Sequence, residues 1–375
     1  MKLFFVTHWA NNMLIFRTWM LEEAVRRGHE VVVMCPADKE ATRFADLGVR
    51  HIPWVLERGS GIGNLIAAIM DARRILRQER PDATVVYCVQ PILAVLWAWR
   101  LGGRLGLLYP TFTGLGSLWT ELDAPRLRKR MIRRILEGMF GLLLTQATRV
   151  FVLNRDDKLQ VASWNPMALQ GKVVQTLGEG VDLEYFRLPT DEHRAEARSR
   201  WGIPVDAKVI GFAGRLIREK GASDFLKLCM QMKRDENVHF LVVGDPDPGN
   251  PTSLTDVELC ELDSVPRMHR EHWMADVRPA YAAMDVLVFL SAREGLPVSP
   301  LEAMAMGVPV VGYDAVGTRE VVPARWLVST GDLAGCLGQI QGHLARLDVV
   351  RSEAMIVSKG FERQVVQGEF LREIE

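Results

Sequence analysis

Arg293-Glu-Gly-Leu-Pro-Val-Ser-Pro-Leu-Glu-Ala-Met-Ala-Met-Gly-Val-Pro-Val-Val-Gly-Tyr-Asp-Ala-Val-Gly-Thr-Arg-Glu320 is the stretch whose reading decides the fold. It follows Val286-Leu-Val-Phe-Leu290, an apolar run short and β-branched enough for a buried strand. After Gly295 and Pro297 the period changes. Leu301, Met304 and Ala305 recur at helical spacing, Ser291 or Ser299 is expected to cap the helix, and Gly307-Val-Pro309 should end it at Met306. The unit therefore reads strand, loop, helix, strand.

A loop at the carboxyl end of a parallel strand that feeds a helix N-terminus is where open α/β sheets hold ligands. The N–H groups of Gly295, Leu296 and Val298 are expected to aim at an anion there. Glu294 and Glu302 lie eight residues apart, one in the loop and one about a turn into the helix. Carboxylates beside phosphate are poor phosphate ligands and good acceptors for sugar and ribose hydroxyls. The alternative is that they are solvated acids favouring the helix dipole.

The two glutamates with the intervening glycine and proline and the following Gly-Val-Pro-Val-Val strand resemble the E-x7-E signature of the family 4 retaining glycosyltransferases. That resemblance implies the GT-B fold, an α/β architecture of two Rossmann-like, doubly wound domains facing across a cleft. It also implies a sugar-nucleotide donor, with Glu294 at the donor sugar and Glu302 at the ribose.

Composition agrees with a two-domain enzyme. The 375 residues exceed one core of ordinary size, and 48% hydrophobic with 25% charged residues is ordinary for a soluble globular chain. Five cysteines without a C-x-x-C pair argue for a reducing compartment and against a disulfide framework or zinc site. The formal net charge is zero, yet residues 1–185 hold 24 Lys+Arg against 18 Asp+Glu, so the first half is the basic one. No apolar run reaches a membrane span, and the start lacks a signal peptide's layout. A cytoplasmic chain, peripheral at the membrane, is expected.

The first half alternates strand and helix. Leu3-Phe-Phe-Val6 ends at Thr7-His8-Trp9, and a periodic helix then runs to Arg27 before Gly28. His8 and Arg17 are candidates for the acceptor side of the cleft. Gly59-Ser-Gly61-Ile-Gly63 has the glycines of a phosphate loop but follows Glu57-Arg58 rather than a buried strand, so it reads as a connection. Thr111-Phe-Thr-Gly-Leu-Gly-Ser117 follows a strand, and its glycines permit a tight loop, making Thr113 and Gly114 further acceptor-side candidates. Within the family this segment is most similar to bacterial enzymes that extend undecaprenyl-diphosphate-linked oligosaccharides or surface polysaccharides such as O-antigen and capsule. No histidine lies between residues 100 and 190, so no catalytic histidine is assigned there.

Arg126 to Arg134 holds six basic residues in nine positions, with Leu127, Met131, Ile135 and Met139 on one helical stripe. Such a helix near 126–144 can lie on an anionic membrane through Arg128, Lys129 and Arg130, or be the solvated face of a core helix. No aromatic residues interleave the charges, so nucleic acid is not expected.

Leu177 to Phe186 resembles the family's Gly-Val-Asp…Phe crossing between domains. The acceptor domain is placed at 1–185 and the nucleotide-sugar domain at 186–375, its final helix returning to pack on the first. Lys208-Val-Ile-Gly-Phe-Ala-Gly214 then starts a new sheet. After it, Arg215 and Lys220 match the Arg and Lys that in the family grip the donor diphosphate; a guanidinium takes two phosphate oxygens and an ammonium supplies a point charge. Gly214, Gly295, Leu296, Pro297, Val298 and Glu302 complete the donor side, and Glu294, Arg215 and Lys220 are the catalytic candidates. With these cations no cofactor or metal is expected: Asp245-Pro-Asp247 lies in a proline-broken loop, and His269 with His272 is too sparse a pair for a metal. Two alternatives stay open, a GT-B epimerase or phosphorylase and a non-catalytic nucleotide-sugar-binding protein.

Overall fold

The structure, a computed structural model, describes residues 1–56, 61–102, 105–120 and 127–375, without the side chains of Ile62 and Ser117. Gly59 and Ser60 of the Gly59–Gly63 loop and Arg126 of the basic run thus lie outside the described residues. The chain divides into two compact units, residues 1–179 with 363–375, and residues 180–362.

Among the described residues the first unit holds seven parallel strands: β1 (Lys2–Val6), β2 (Glu30–Cys35), β3 (Arg50–Pro53), β4 (Ala83–Tyr87), β5 (Leu107–Phe112), β6 (Val150–Val152) and β7 (Val173–Gln175), in the order β3-β2-β1-β4-β5-β6-β7. Because side chains alternate along a strand, Phe4 and Val6 enter one apolar cluster while Leu3 and Phe5 enter the other. Both faces of β1 are covered, which is why Leu3–Val6 reads as an unbroken apolar run. The helix Arg363–Ile374 belongs to this unit. Its Phe370, Leu371 and Ile374 sit in the same cluster as Leu3 and Phe5, with the Phe370 ring 4.9 Å from that of Phe151.

The second unit holds β8 (Lys208–Ala213), β9 (Val238–Val243), β10 (Met268–Glu271), β11 (Val286–Phe289), β12 (Val310–Tyr313) and β13 (Leu327–Val328), all parallel, in the order β10-β9-β8-β11-β12-β13. The polar stretch after residue 190 is a helix, Asp191–Ser199, capped by the Thr190 side chain. Its arginines enter a buried knot around Asp285. Arg194 Nη2 lies 2.5 Å from Oδ1, Arg198 Nη2 2.7 Å from Oδ2, and Arg351 Nη2 3.1 Å from Oδ1, while the Val209 N–H donates to Oδ2 at 2.8 Å. One carboxylate thereby ties two helices to the entry of β11.

One expectation is corrected. Neither Ser291 nor Ser299 caps the helix Val298–Ala305; Pro297 occupies the N-cap in extended backbone, and the Ser291 hydroxyl donates to the carbonyls of Glu219 and Arg293 instead. A proline presets φ at a helix entry and needs no side-chain acceptor to do so. No helix among the described residues is long and apolar enough to cross a membrane.

Candidate functional site

In the second sheet the chain runs outward in one direction from β8 and in the other from β11, and these two strands are neighbours. Their carboxyl ends bound the topological switch point, the place where open α/β sheets hold ligands. Glycines shape both rims. Gly214 and Gly244 have φ +153° and +138°, and a Cβ on Gly244 would stand 2.0 Å from the Gly214 carbonyl oxygen. Gly221, at φ +81°, lets the loop after β8 press on the end of β11, since a Cβ there would meet the Leu290 oxygen at 2.4 Å.

That contact is locked by the Ala292 N–H and the Ser291 hydroxyl, which both donate to the Glu219 carbonyl, at 2.9 and 3.2 Å. It carries Lys220 across the switch point, so that Nζ donates to Glu294 Oε1 at 2.5 Å. The two side chains are 26% and 13% exposed. The Glu294 loop is held from its other side: the Glu294 N–H donates to the Val316 carbonyl at 2.9 Å. Gly317, at φ +82°, permits the approach, for its Cβ would lie 2.5 Å from the Glu294 oxygen and 2.7 Å from that of Gly295.

Arg215 stands on the same rim, half-exposed, its Nη1 2.5 Å from Asp247 Oδ2. Arg218 turns to Glu258 at 3.1 Å, and Glu258 also closes a capping box with Thr255. Glu302 lies on the helix Val298–Ala305, where its Oε2 accepts from the Tyr281 hydroxyl at 3.1 Å. Burial, reinforced by the Glu302 charge, pushes the Tyr281 phenol well above its ordinary pKa, so the phenol stays a donor. Gly295, Leu296 and Pro297 are buried and Val298 half-buried at the helix entry. Asp245 is engaged by His272 Nδ1 at 2.6 Å and by the Trp273 N–H at 3.0 Å, and His269 faces His239 at 3.0 Å.

The acceptor-side candidates belong to the first unit. His8 follows β1 and is half-buried; Thr113 follows β5, its Oγ1 3.5 Å from Cys88 Sγ, and Gly114 adopts φ +127°. Cys88, between them at the end of β4, is a non-glycine residue at φ +71°, a conformation that accumulates at functional strand ends. Arg17 is only 2% exposed. It lies over the Tyr87 ring at 4.0 Å, donates to Asn12 at 2.9 Å and pairs with Glu179. Its charge is thus met inside the fold, where it anchors the Gly178-Glu179-Gly180 turn. Arg128 and Arg130 are exposed, whereas Lys129 folds back to the Thr120 carbonyl at 2.7 Å.

Sequence reasoning missed Tyr281 as the partner of Glu302 and Asp247 as the partner of Arg215, whereas Gly317 was visible as the glycine of a loop-to-helix junction facing the same site.

Two family models match the chain, one described as glycosyl transferase 4-like domain over residues 16–175, the other as glycosyl transferases group 1 over residues 207–345. A Campylobacter jejuni N,N'-diacetylbacillosaminyl-diphospho-undecaprenol alpha-1,3-N-acetylgalactosaminyltransferase is 23% identical over 329 residues, covering 86% of this chain and 83% of that protein. A Saccharomonospora viridis D-inositol 3-phosphate glycosyltransferase is 37% identical over 148 residues, 37% of this chain and 33% of that protein, so the match spans about a third of that relative's length. Among solved structures, Anabaena HepE in complex with UDP-glucose superposes with a TM-score of 0.78 at 17% identity, covering 100% of this chain and 99% of that one. The two halves of the chain thus match glycosyltransferase domain models, the 4-like domain over residues 16–175 and the group 1 domain over residues 207–345, and the fold is that of the GT-B solved structures.

Proposed function

We propose that the protein is a retaining glycosyltransferase that moves a sugar from a nucleoside diphosphate donor, read as a UDP-linked N-acetylhexosamine, to a lipid-linked saccharide acceptor. The observation that carries the reading is the contact of Lys220 with Glu294 at the switch point of the second sheet, with Arg215 following β8 and Glu302 on the helix that leaves the Glu294 loop. A departing nucleoside diphosphate gains negative charge as the glycosidic bond breaks, and fixed cations stabilise that charge more in the transition state than in the ground state. Arg215 and Lys220 are the charge-bearing donors, and the entry of the helix Val298–Ala305 adds its dipole.

In this reading Lys220 exchanges Glu294 for phosphate oxygens when donor binds, which frees Glu294 to accept from donor sugar hydroxyls. Glu302 accepts from the ribose. The leaving phosphate takes the acceptor's proton, so the step needs neither a protein nucleophile nor a metal. His8, Thr113 and Gly114 are assigned to the acceptor. The N-acetylhexosamine and lipid-linked acceptor are supported by the name of the Campylobacter relative, and a UDP-sugar by the Anabaena complex.

Attachment to an anionic membrane is the second half of the proposal. Along the helix Leu127–Leu143, Leu127, Met131 and Ile135 are 83%, 57% and 61% exposed, and Arg128, Arg130 and Arg134 are exposed beside them. An apolar stripe open to water and flanked by cations suits a lipid surface better than a protein core.

The test is incubation with UDP-N-acetylhexosamines and a polyprenyl-diphosphate-linked saccharide, reading UDP release and the anomeric configuration of the product by NMR. An α-linked product from an α-linked donor is expected. Donor epimerised or cleaved without acceptor, or bound without turnover, would overturn the assignment.

A further inference from the structure

Glu302 reaches its place on a long side chain, which in water would sample many rotamers and lose that freedom on binding a ligand. The fold removes the freedom in advance. Tyr281, 1% exposed, presents its hydroxyl to Glu302 Oε2 at 3.1 Å from a different helix, Arg278–Ala283. That helix is clamped at its carboxyl end. Arg194 Nη1 donates to the carbonyls of Ala282 and Met284, at 3.0 Å each, and Arg198 Nε to that of Ala283 at 3.2 Å. Both guanidiniums are anchored in turn on Asp285. Phe186 packs against the Tyr281 ring, centroids 6.4 Å apart and planes at 60°. The hydroxyl is therefore a fixed donor, and a carboxylate, which only accepts, takes its plane from it.

We infer that Tyr281 is a positioning residue that presets Glu302 to accept from the ribose hydroxyls, and so sets a preference for ribonucleoside over deoxyribonucleoside diphosphates. This rests on the assignment of Glu302 to the ribose made above. A site built to bond a hydroxyl discriminates strongly against a ligand lacking it, but only while the acceptor is held in place. A carboxylate free to turn toward water binds both ligands more alike.

Calorimetric binding of UDP and of 2′,3′-dideoxy-UDP, or of the GDP pair if that base binds tighter, tests this in the wild type, Tyr281→Phe, Glu302→Ala and the double variant. The wild type is expected to favour the ribonucleotide by roughly a hundredfold, from two hydroxyls donating to a charged acceptor. Tyr281→Phe should cut that ratio by roughly tenfold and raise KM for the sugar nucleotide while kcat stays within about twofold. Glu302→Ala should bring the ratio near one, and adding Tyr281→Phe to it should change nothing more. A merely structural tyrosine would weaken both ligands alike and leave the ratio intact.

An unchanged ratio in Tyr281→Phe, with collapse in Glu302→Ala, overturns the positioning role and leaves the transferase reading standing. A ratio that survives Glu302→Ala removes the ribose assignment and this inference together. A further fall in the double variant shows Tyr281 acting on the ribose directly, which also overturns it.

Discussion

Lys220 and Glu294, 74 positions apart in the chain, meet at 2.5 Å between Nζ and Oε1 across the ends of β8 and β11. The ammonium that should hold a diphosphate is thus parked on the carboxylate that should hold the sugar. Replacing Lys220 by Ala removes a charge that matters most as the leaving group departs. We expect kcat/KM to fall on the order of a hundred- to a thousandfold, about 3 to 4 kcal/mol, with the larger share in kcat. Steady-state kinetics at saturating acceptor checks this, and turnover within threefold of wild type would contradict the role.

Gly317→Ala should damage the site more than the fold. Its Cβ would stand 2.5 Å from the Glu294 carbonyl oxygen, in a backbone conformation that side chains avoid. The Glu294 loop must move, so donor affinity should drop at least tenfold while the thermal midpoint falls by only a few degrees. Thermal shift with and without UDP-sugar measures both. A full donor-induced shift in the variant would show that the loop is not held this way.

Asp285→Asn tests the buried knot. One neutral amide cannot serve three guanidiniums and the Val209 N–H, and breaking a buried pair costs about 3 to 5 kcal/mol. A lowered urea midpoint is expected for the transition of the second unit. A loss under about 1 kcal/mol would mean that water reaches these arginines and serves them equally well.

His343 should make the second unit acid-sensitive. The ring is 2% exposed, edge-on to Trp326 at 5.1 Å. Burial, more than its neighbours Arg346 and Arg325, lowers its pKa from 6.5 to about 4, against an opposing contribution from the Gln339 carbonyl and Glu353. As pH falls from about 6.5 to 4, the unfolded chain takes up the proton before the folded one does. The stability is therefore full above that window and is lost within it, by up to about 3 kcal/mol. His343→Gln should lose about 2 kcal/mol less than wild type between pH 7 and 4.5 in urea titrations. Parallel losses in the two proteins would refute the assignment.

The membrane proposal turns on charges that remain in water. Arg128, Arg130 and Arg134 are exposed, whereas Lys129 is tied to the Thr120 carbonyl and should be left in place. Changing the three arginines to Gln should weaken binding to phosphatidylglycerol vesicles roughly a hundredfold, at about 1 kcal/mol per charge, without lowering the thermal midpoint. Vesicle sedimentation that is unaltered by the triple change would dispose of the idea.

Local order was legible where the period of apolar residues changes sharply. The runs Leu3–Val6 and Val286–Leu290 could be placed because burial on both faces leaves strands without polar interruptions. Contacts between distant residues could not be read that way. Nothing in spacing brings Tyr281 to Glu302, and resemblance alone nominated Lys220 with Glu294. The partner of Arg17 was hidden in the same way, because Glu179 arrives from 162 residues away. The serine caps failed because Pro297 takes the N-cap position, where no side chain accepts from the first helical N–H groups.

The helix Arg363–Ile374 has a consequence for biosynthesis. Phe370, Leu371 and Ile374 complete the core begun by Leu3 and Phe5, so the unit that starts first on the ribosome must wait for residues translated after the whole of its companion. Residues 180–362 can close their own core while the earlier unit still lacks a wall, and a nascent chain halted near Glu362 would expose the apolar seat meant for Phe370. The order of synthesis and the order of completion are reversed.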